Sequence, residues 1–378
     1  MPYRTLEQLP TPCLLVDSAL MQANIERLND QLQRLHTPLR PHLKTCKNIE
    51  IARRMLDGHP GGATVSTLAE ADYFHGHGIS DLLYAVGIAP GKLAAVAERR
   101  AAGMDLSIIL DSRAAAQAVA DASRQLGCRY RVLLEVDADG HRAGFRPDDP
   151  ALEDCARLLD RSGCAVLGVL VHAGGSYHCQ QTDAIAAMAA TERDCALSAV
   201  GRLRDLGLEA PVVSIGSTPT ASFALDLAGI SEVRAGVYVF QDLVMAGLGV
   251  CQESDIALSV LTEVIGHRPR TGEVLVDAGW MALSRDRGTA SQARDRGYGL
   301  VRDADGAELG EVIVKASNQE HGILGRADGL ALSAAEFPVG RRLRILPNHA
   351  CATAGQHGAY WLIDRGEVHG SLVRCQGW

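Results

Sequence analysis

Apolar residues along this chain fall into two rhythms, and the change between them lies near residue 257. Residues 11–17 read as a strand, and Ser18 then caps a helix whose apolar positions Leu20, Ile25, Leu28, Leu32 and Leu35 recur at helical spacing. Beyond it, short continuous apolar runs predict strands at 39–44, 63–66, 82–86, 106–110, 130–137, 166–172, 212–216 and 232–235. Helical segments are predicted between them, for example at 48–56, 90–102, 112–126, 151–161 and 183–206. Unbroken apolar runs are what parallel strands covered on both faces require. Eight strand-then-helix units suit a (β/α)8 barrel better than an open doubly wound sheet, and no G-x-G-x-x-G turn follows any of the strands.

From residue 257 the pattern becomes strands without helices between them, at 257–265, 273–277, 298–302, 311–316, 341–346 and 360–364, with Gly and Pro at the turns. The expected architecture is α/β: a barrel over 18–250 and an antiparallel β domain over 251–378, to which residues 1–17 could be added. Alanine-rich stretches at 114–122 and 184–190 are helix formers, and there is no repeat beyond the βα rhythm.

Composition narrows the partners. The 378 residues are 47% hydrophobic and carry a net charge of −8 without any block of like charges, so nothing attracts nucleic acid or an anionic membrane, and small molecules are expected. Met1-Pro2-Tyr3-Arg4-Thr5-Leu6-Glu7 lacks the basic-then-apolar layout of a signal peptide, and no apolar run approaches the roughly 18 residues of a membrane span. A cytoplasmic protein is expected. Its ten cysteines include no C-x-x-C pair, so in a reducing compartment most are small buried hydrophobes.

Candidate chemistry collects at the ends of the barrel strands, where such folds place it. Strand one ends in Lys44, with His42 on the same face; an amine pointed into a cleft there can serve as a nucleophile toward a carbonyl cofactor. The strand-five loop carries Asp137 to Arg142, and strand six runs into His172 and Tyr177. Strand seven enters the small turn Gly216-Ser217-Thr218 and strand eight enters Gly236-Val237, equipment for a phosphate dianion. Each has a plainer alternative: a solvated lysine, a G-S-T helix cap, a core histidine at 172, an Arg142 paired with Asp137 or Asp139. In the β domain, residues 348–353 read Asn-His-Ala-Cys-Ala-Thr; in an extended strand His349 and Cys351 share a face and could hold one ion, with the soft sulfur favouring zinc. A third ligand is not visible in the sequence.

Taken in order, RPHLKTCK (40–47), TVSTLAEAD (64–72), DADGHRAG (137–144), HAGGSY (172–177), SIGSTPT (214–220), EVRAGVYVF (232–240), VDAGWMALSRDRGTA (276–290), NQEHGIL (318–324) and LPNHACAT (346–353) resemble the metal-activated fold-type III pyridoxal-phosphate enzymes of the D-serine dehydratase and D-threonine aldolase group. The resemblance covers most of the chain. It implies an alanine racemase-like barrel with a β domain, in a homodimer whose sites include residues of both chains. Lys44 would hold pyridoxal 5′-phosphate; Ser217, Thr218, Gly236 and Val237 would surround its phosphate; His42, Arg142, His172 and Tyr177 would lie about the ring. His349 and Cys351 would bind a divalent metal, zinc first, with manganese, cobalt or magnesium as alternatives.

The activity implied is dehydration of a D-3-hydroxy amino acid, D-threo-3-hydroxyaspartate or D-serine, to a 2-oxo acid and ammonia. In the resembling group the aldolases tend to carry Asp at the second metal position, so Cys351 points to the dehydratase branch. The alternative is an aldolase acting on D-threonine or 3-hydroxy-D-aspartate. A racemase would leave the metal pair without a role, and a non-catalytic pyridoxal-phosphate carrier would need neither that pair nor the β domain.

Overall fold

The computed structural model describes residues 3–378. The chain folds into two compact units: Arg27–Gly236 with Cys375–Trp378, and the residues up to Glu26 with Val237–Arg374.

In the first unit seven parallel strands follow in sequence order: Ala63–Val65, Asp81–Gly87, Asp105–Leu110, Arg131–Val136, Ala165–Val171, Val212–Ile215 and Glu232–Val233. The two edges are joined by residues 39–42, where Leu39 bridges Val233 and His42 bridges Thr64, both in parallel. Backbone bonds from Arg40 N to Val233 O (2.8 Å), His42 N to Ala235 O (2.8 Å) and Thr64 N to Pro41 O (2.9 Å) close the ring. Strand one, expected over 39–44, is only this joint. Pro38 and Pro41 have no N–H to give to a ladder, and from Leu43 the chain turns, with Lys47 N on Leu43 O and Lys47 at φ 45°. The barrel is therefore complete, with Lys44 on the loop leaving strand one.

The helices start where side chains can take up unpaired backbone donors. Asn48 Oδ1 accepts from Glu50 N and Ile51 N to open Ile49–Leu56, Thr67 caps Leu68–Gly76 and Ser112 caps Arg113–Leu126. Leu83, Ile109, Leu133 and Leu170, one from each of strands three to six, form a buried cluster, each side chain contributing about 1.5–3 kcal/mol.

The second unit is an antiparallel barrel of six strands in the order Glu273–Val276, Gly322–Arg326, Glu308–Ser317, Leu300–Asp303, Arg342–Leu346 and Leu258–Arg268, the last pairing back with the first. Leu258–Arg268 also pairs with Cys13–Asp17, which continues through Ala359–Asp364 to Glu367–Val373. Strands 322–326 and 367–373 escape a reading of the sequence because each contains glycine, which weakens a strand pattern. Residues 18–26 and 237–250, read from sequence as barrel, fall in this unit. Leu243 N and Val244 N bond to Pro347 O and Asn348 O, and Asn24 Nδ2 bonds to Asp255 O. Two short helices, Trp280–Leu283 and Ala350–Ala354, interrupt what the sequence presented as strands alone. Among the described residues no cysteine is in a disulfide, and no helix is long and apolar enough to cross a membrane.

Candidate active site and metal pair

Lys44 lies exposed at the rim of the parallel barrel. The chain has four lysines. Lys47 pairs with Glu70 (3.0 Å), Lys92 donates to the Tyr84 hydroxyl (2.9 Å) and Lys315 pairs with Glu273 (2.5 Å). Among the described residues no carboxylate stands within ion-pair range of Lys44, so its amine is the one left for chemistry.

Around it stand two imidazoles kept neutral. His42 is held well below the ordinary histidine range, first by burial and then by the charges of Lys44 and Arg234. His172, at the end of strand six, places Nδ1 2.9 Å from the carbonyl oxygen of Gly216. A carbonyl only accepts, so Nδ1 carries the proton and Nε2 keeps its lone pair. Burial lowers this imidazole to about 4, against the Gly216 bond and with help from Arg142 and Arg234. The Tyr177 ring lies 6.3 Å from that of His172.

Arg142 is held by neither of the two aspartates considered from sequence. Its guanidinium reaches Glu135 on strand five at 3.3 Å. Asp137 and Asp139 instead brace the loop: Asp137 Oδ1 accepts from Asp139 N and Gly140 N, and Asp139 accepts from His141 N and Gly175 N.

The strand-seven turn is indeed a helix cap: Ser217 Oγ accepts from Thr220 N (3.2 Å) and Thr220 Oγ1 from Ser217 N (3.0 Å), opening Thr218–Phe223. The cap also shapes a cradle. Gly216 has φ +136°, and a Cβ there would fall on the Arg234 carbonyl; a Cβ on Gly236 would stand 2.9 Å from His42 O. Gly236 is the last residue of the segment 27–236 of the barrel unit, and Val237, with which the chain re-enters the other unit, is buried in a 3-10 turn. A lysine amine, neutral imidazoles, an anchored arginine and a glycine-lined hydroxyl turn fit pyridoxal 5′-phosphate.

Three further residues at this end of the barrel were not evident from the sequence. Arg234, 4% exposed, donates to Ser214 Oγ (2.7 Å) and Val171 O (2.6 Å), and burial lowers it to about 10. Glu135 is a charge set among the apolar residues Val132, Leu133, Leu134 and Val136 of strand five. Glu192 sits on the buried stripe Ile185, Ala189, Glu192, Ala196 and Ala199 of helix Thr182–Asp205, and a polar residue on such a stripe is the signal that would have found it.

In the β unit His349 and Cys351 come together by a route other than the expected strand. His349 is the extended N-cap residue (φ −135°, ψ 107°) of helix Ala350–Ala354, and Cys351 lies in its first turn. Asp286 Oδ2 stands 2.7 Å from His349 Nδ1, which fixes that nitrogen as the donor and leaves Nε2 for a ligand. Burial alone would lower His349, but hydrogen bonds to Asp286 and Cys351 raise it to about 11. Ser284, at φ 72°, turns the chain two residues ahead of Asp286. Asp242, fully buried, accepts from Met245 N and Ala350 N and anchors the helix start. No third His, Cys, Asp or Glu completes a cluster among the described residues. An imidazole and a thiol fit a divalent ion that keeps positions open for a substrate.

Residues 16–243 match the alanine racemase N-terminal domain, and residues 257–363 match a putative serine dehydratase domain. The chain is 48% identical to D-threo-3-hydroxyaspartate dehydratase of Delftia sp. (strain HT23) over 377 residues, 99% of each chain. It is 29% identical to D-serine dehydratase of Dictyostelium discoideum, over 95% of this chain and 94% of that one. A solved structure of a cysteine mutant of D-threo-3-hydroxyaspartate dehydratase, in the metal-free form, superposes with a TM-score of 0.97 at 48% identity, covering 99% of this chain and 100% of that one.

Proposed function

The chain belongs to the pyridoxal-phosphate-dependent family that begins with an alanine racemase N-terminal domain, here followed by a serine dehydratase domain, and from that premise we propose that it is a metal-activated dehydratase of D-3-hydroxy amino acids. The substrate proposed first is D-threo-3-hydroxyaspartate, with D-serine second. The observation that carries this reading is the 48% identity to D-threo-3-hydroxyaspartate dehydratase across both domains.

When bound, the cofactor supplies an electron sink for the substrate's Cα–H bond and the cation a Lewis acid for its 3-hydroxyl. Lys44 Nζ would hold the cofactor, and as a free amine it would take the proton from Cα of the substrate. His172, with Nδ1–H on Gly216 O, offers the neutral lone pair of Nε2 and brings no second positive charge to the rim. Arg142, steadied by Glu135, lies about the ring with His42 and Tyr177. Ser217, Thr218, Gly236 and Val237 are assigned to the phosphate. His349 Nε2 and Cys351 Sγ are assigned to the cation, zinc first, with Asp286 orienting the imidazole. Loss of the Cα proton and the 3-hydroxyl removes one water; the enamine left behind takes up water and yields a 2-oxo acid and ammonia. The working form proposed is a cytoplasmic homodimer whose sites draw on both chains, as in the family the sequence resembles.

The test is incubation of the purified protein with D-threo-3-hydroxyaspartate, D-serine and D-threonine, measuring ammonia, 2-oxo acid, aldehyde and glycine. Ammonia and 2-oxo acid in equal amounts are expected; aldehyde and glycine as main products would replace the dehydratase with an aldolase.

A further inference from the structure

Glu192 has no solvent exposure. Its Oε1 accepts the backbone N–H of Ala173 (2.9 Å) and of Gly216 (3.0 Å), so a single oxygen ties the turn after strand six to the start of the strand-seven loop. Oε2 is buried with no hydrogen-bond partner, and the Thr220 hydroxyl stands close enough to the carboxyl group to favour its charged form. Beyond Thr220 the hydroxyls run in series, with Ser217 Oγ 2.9 Å from Thr220 Oγ1 and 3.1 Å from Ser176 Oγ, all buried.

A carboxylate oxygen sealed in the interior without a donor is costly, and a phosphate dianion in the adjoining loop would add like-charge repulsion. A carboxylic acid removes both difficulties: Oε1 keeps its two N–H donors, while a proton on Oε2 makes that oxygen a donor toward the hydroxyl series. We propose that Glu192 is a positioning residue that carries a proton when a phosphate group occupies the Ser217–Thr218 loop, so that cofactor binding takes up a proton at Glu192. This rests on the assignment of the cofactor phosphate to that loop.

The surrounding charges bear on it in opposite directions. Arg234, after strand eight, favours the carboxylate, but its bonds go to Ser214 Oγ and Val171 O. His172 reaches the carbonyl of the same Gly216 as a neutral imidazole. On its own helix Cys195 feels Glu192, along with Asp194 and, from the strand-five loop, Asp137 and Asp139. With burial as the largest influence, the carboxyl of Glu192 is raised.

The experiment uses the full-length protein freed of cofactor and two probes, pyridoxal 5′-phosphate and inorganic phosphate. Dissociation constants are measured by equilibrium dialysis from about pH 6 to 9 for the native chain and for Glu192→Gln. The titrations of the probe and of Lys44 are common to both proteins and cancel in the ratio. Because the Gln variant keeps an acceptor and never ionises, the native affinity should fall relative to it as pH rises, by up to about tenfold per unit. A ratio constant with pH would overturn the proposal. Should Glu192→Gln fail to fold, calorimetry of phosphate binding to the native protein in buffers of different ionisation enthalpy counts the protons directly, and zero uptake at alkaline pH would overturn it. Failure of the underlying assignment looks different: pyridoxal without phosphate would then bind as tightly as pyridoxal 5′-phosphate.

Discussion

His172 Nδ1 and the carbonyl oxygen of Gly216 are 2.9 Å apart, while the N–H of the same Gly216 is held by Glu192, so one residue is gripped through both of its flanking peptides. The grip makes His172 a donor at Nδ1, and burial, working against that bond, keeps the imidazole neutral down to about 4. The unfolded chain binds this proton near pH 6.5, whereas the folded chain does not until about pH 4. Stability should therefore fall as pH drops from 6.5 toward 4, with a slope of up to about 1.4 kcal/mol per pH unit for this histidine. His42 is shifted the same way and adds to the loss. Urea unfolding across that range, native against His172→Gln, checks it: the variant should lose less stability on acidification, and parallel curves would remove His172 from the account.

Lys44 should be the covalent cofactor residue. Protein with pyridoxal 5′-phosphate should show a visible absorbance band that borohydride abolishes, and peptide mapping should place the reduced adduct on Lys44. Lys44→Ala should lose the band and at least about 10²–10⁴-fold in rate, the scale of a positioned proton-transfer group. Label on Lys47 or Lys315 would refute the assignment, and both are disfavoured by their ion pairs with Glu70 and Glu273.

What could be read from the sequence and what could not divides along physical lines. Arg142, His172 and the 216–218 turn were legible because each follows a strand whose apolar run is unmistakable, and a barrel fixes where such ends point, whereas Lys44 follows only the short joint at 39–42. Glu192 and Asp286 were hidden because what defines them is a partner far along the chain, two backbone N–H groups for the first and His349 for the second, while Glu135 is defined by Arg142 across the loop that leaves its strand. Strand one looked longer than it is because apolar character does not reveal the donors lost at Pro38 and Pro41. His349 and Cys351 were picked out by residue type, yet the geometry bringing them together is a helix start, which a two-residue spacing does not distinguish from a strand.

A homodimer with shared sites predicts complementation. Lys44 and the His349–Cys351 pair belong to separate compact units. Lys44→Ala and His349→Ala chains, each inactive, should on mixing and subunit exchange recover about a quarter of native activity. Half of the randomly paired dimers are mixed, and each mixed dimer holds one intact site out of two. Verified exchange without recovery would count against sites built from both chains.

The metal pair gives the sharpest separation between dehydratase, racemase and carrier. Chelation should spare the visible cofactor band while abolishing ammonia release, and Cys351→Ala should behave as the chelated enzyme does. Lewis-acid assistance is worth several kcal/mol, and each ~1.4 kcal/mol is tenfold in rate. Cys351→Asp should retain some metal, since a carboxylate is also a ligand, though a harder one. Asp286 is assigned the imidazole rather than the ion, so Asp286→Asn should weaken metal affinity by about 10–100-fold without abolishing it. The measurement is metal content and products for native, chelated and zinc- or manganese-restored protein. Undiminished ammonia from metal-free enzyme would end the Lewis-acid assignment. Unchanged metal affinity in Asp286→Asn would show that the 2.7 Å bond to His349 does not orient a ligand.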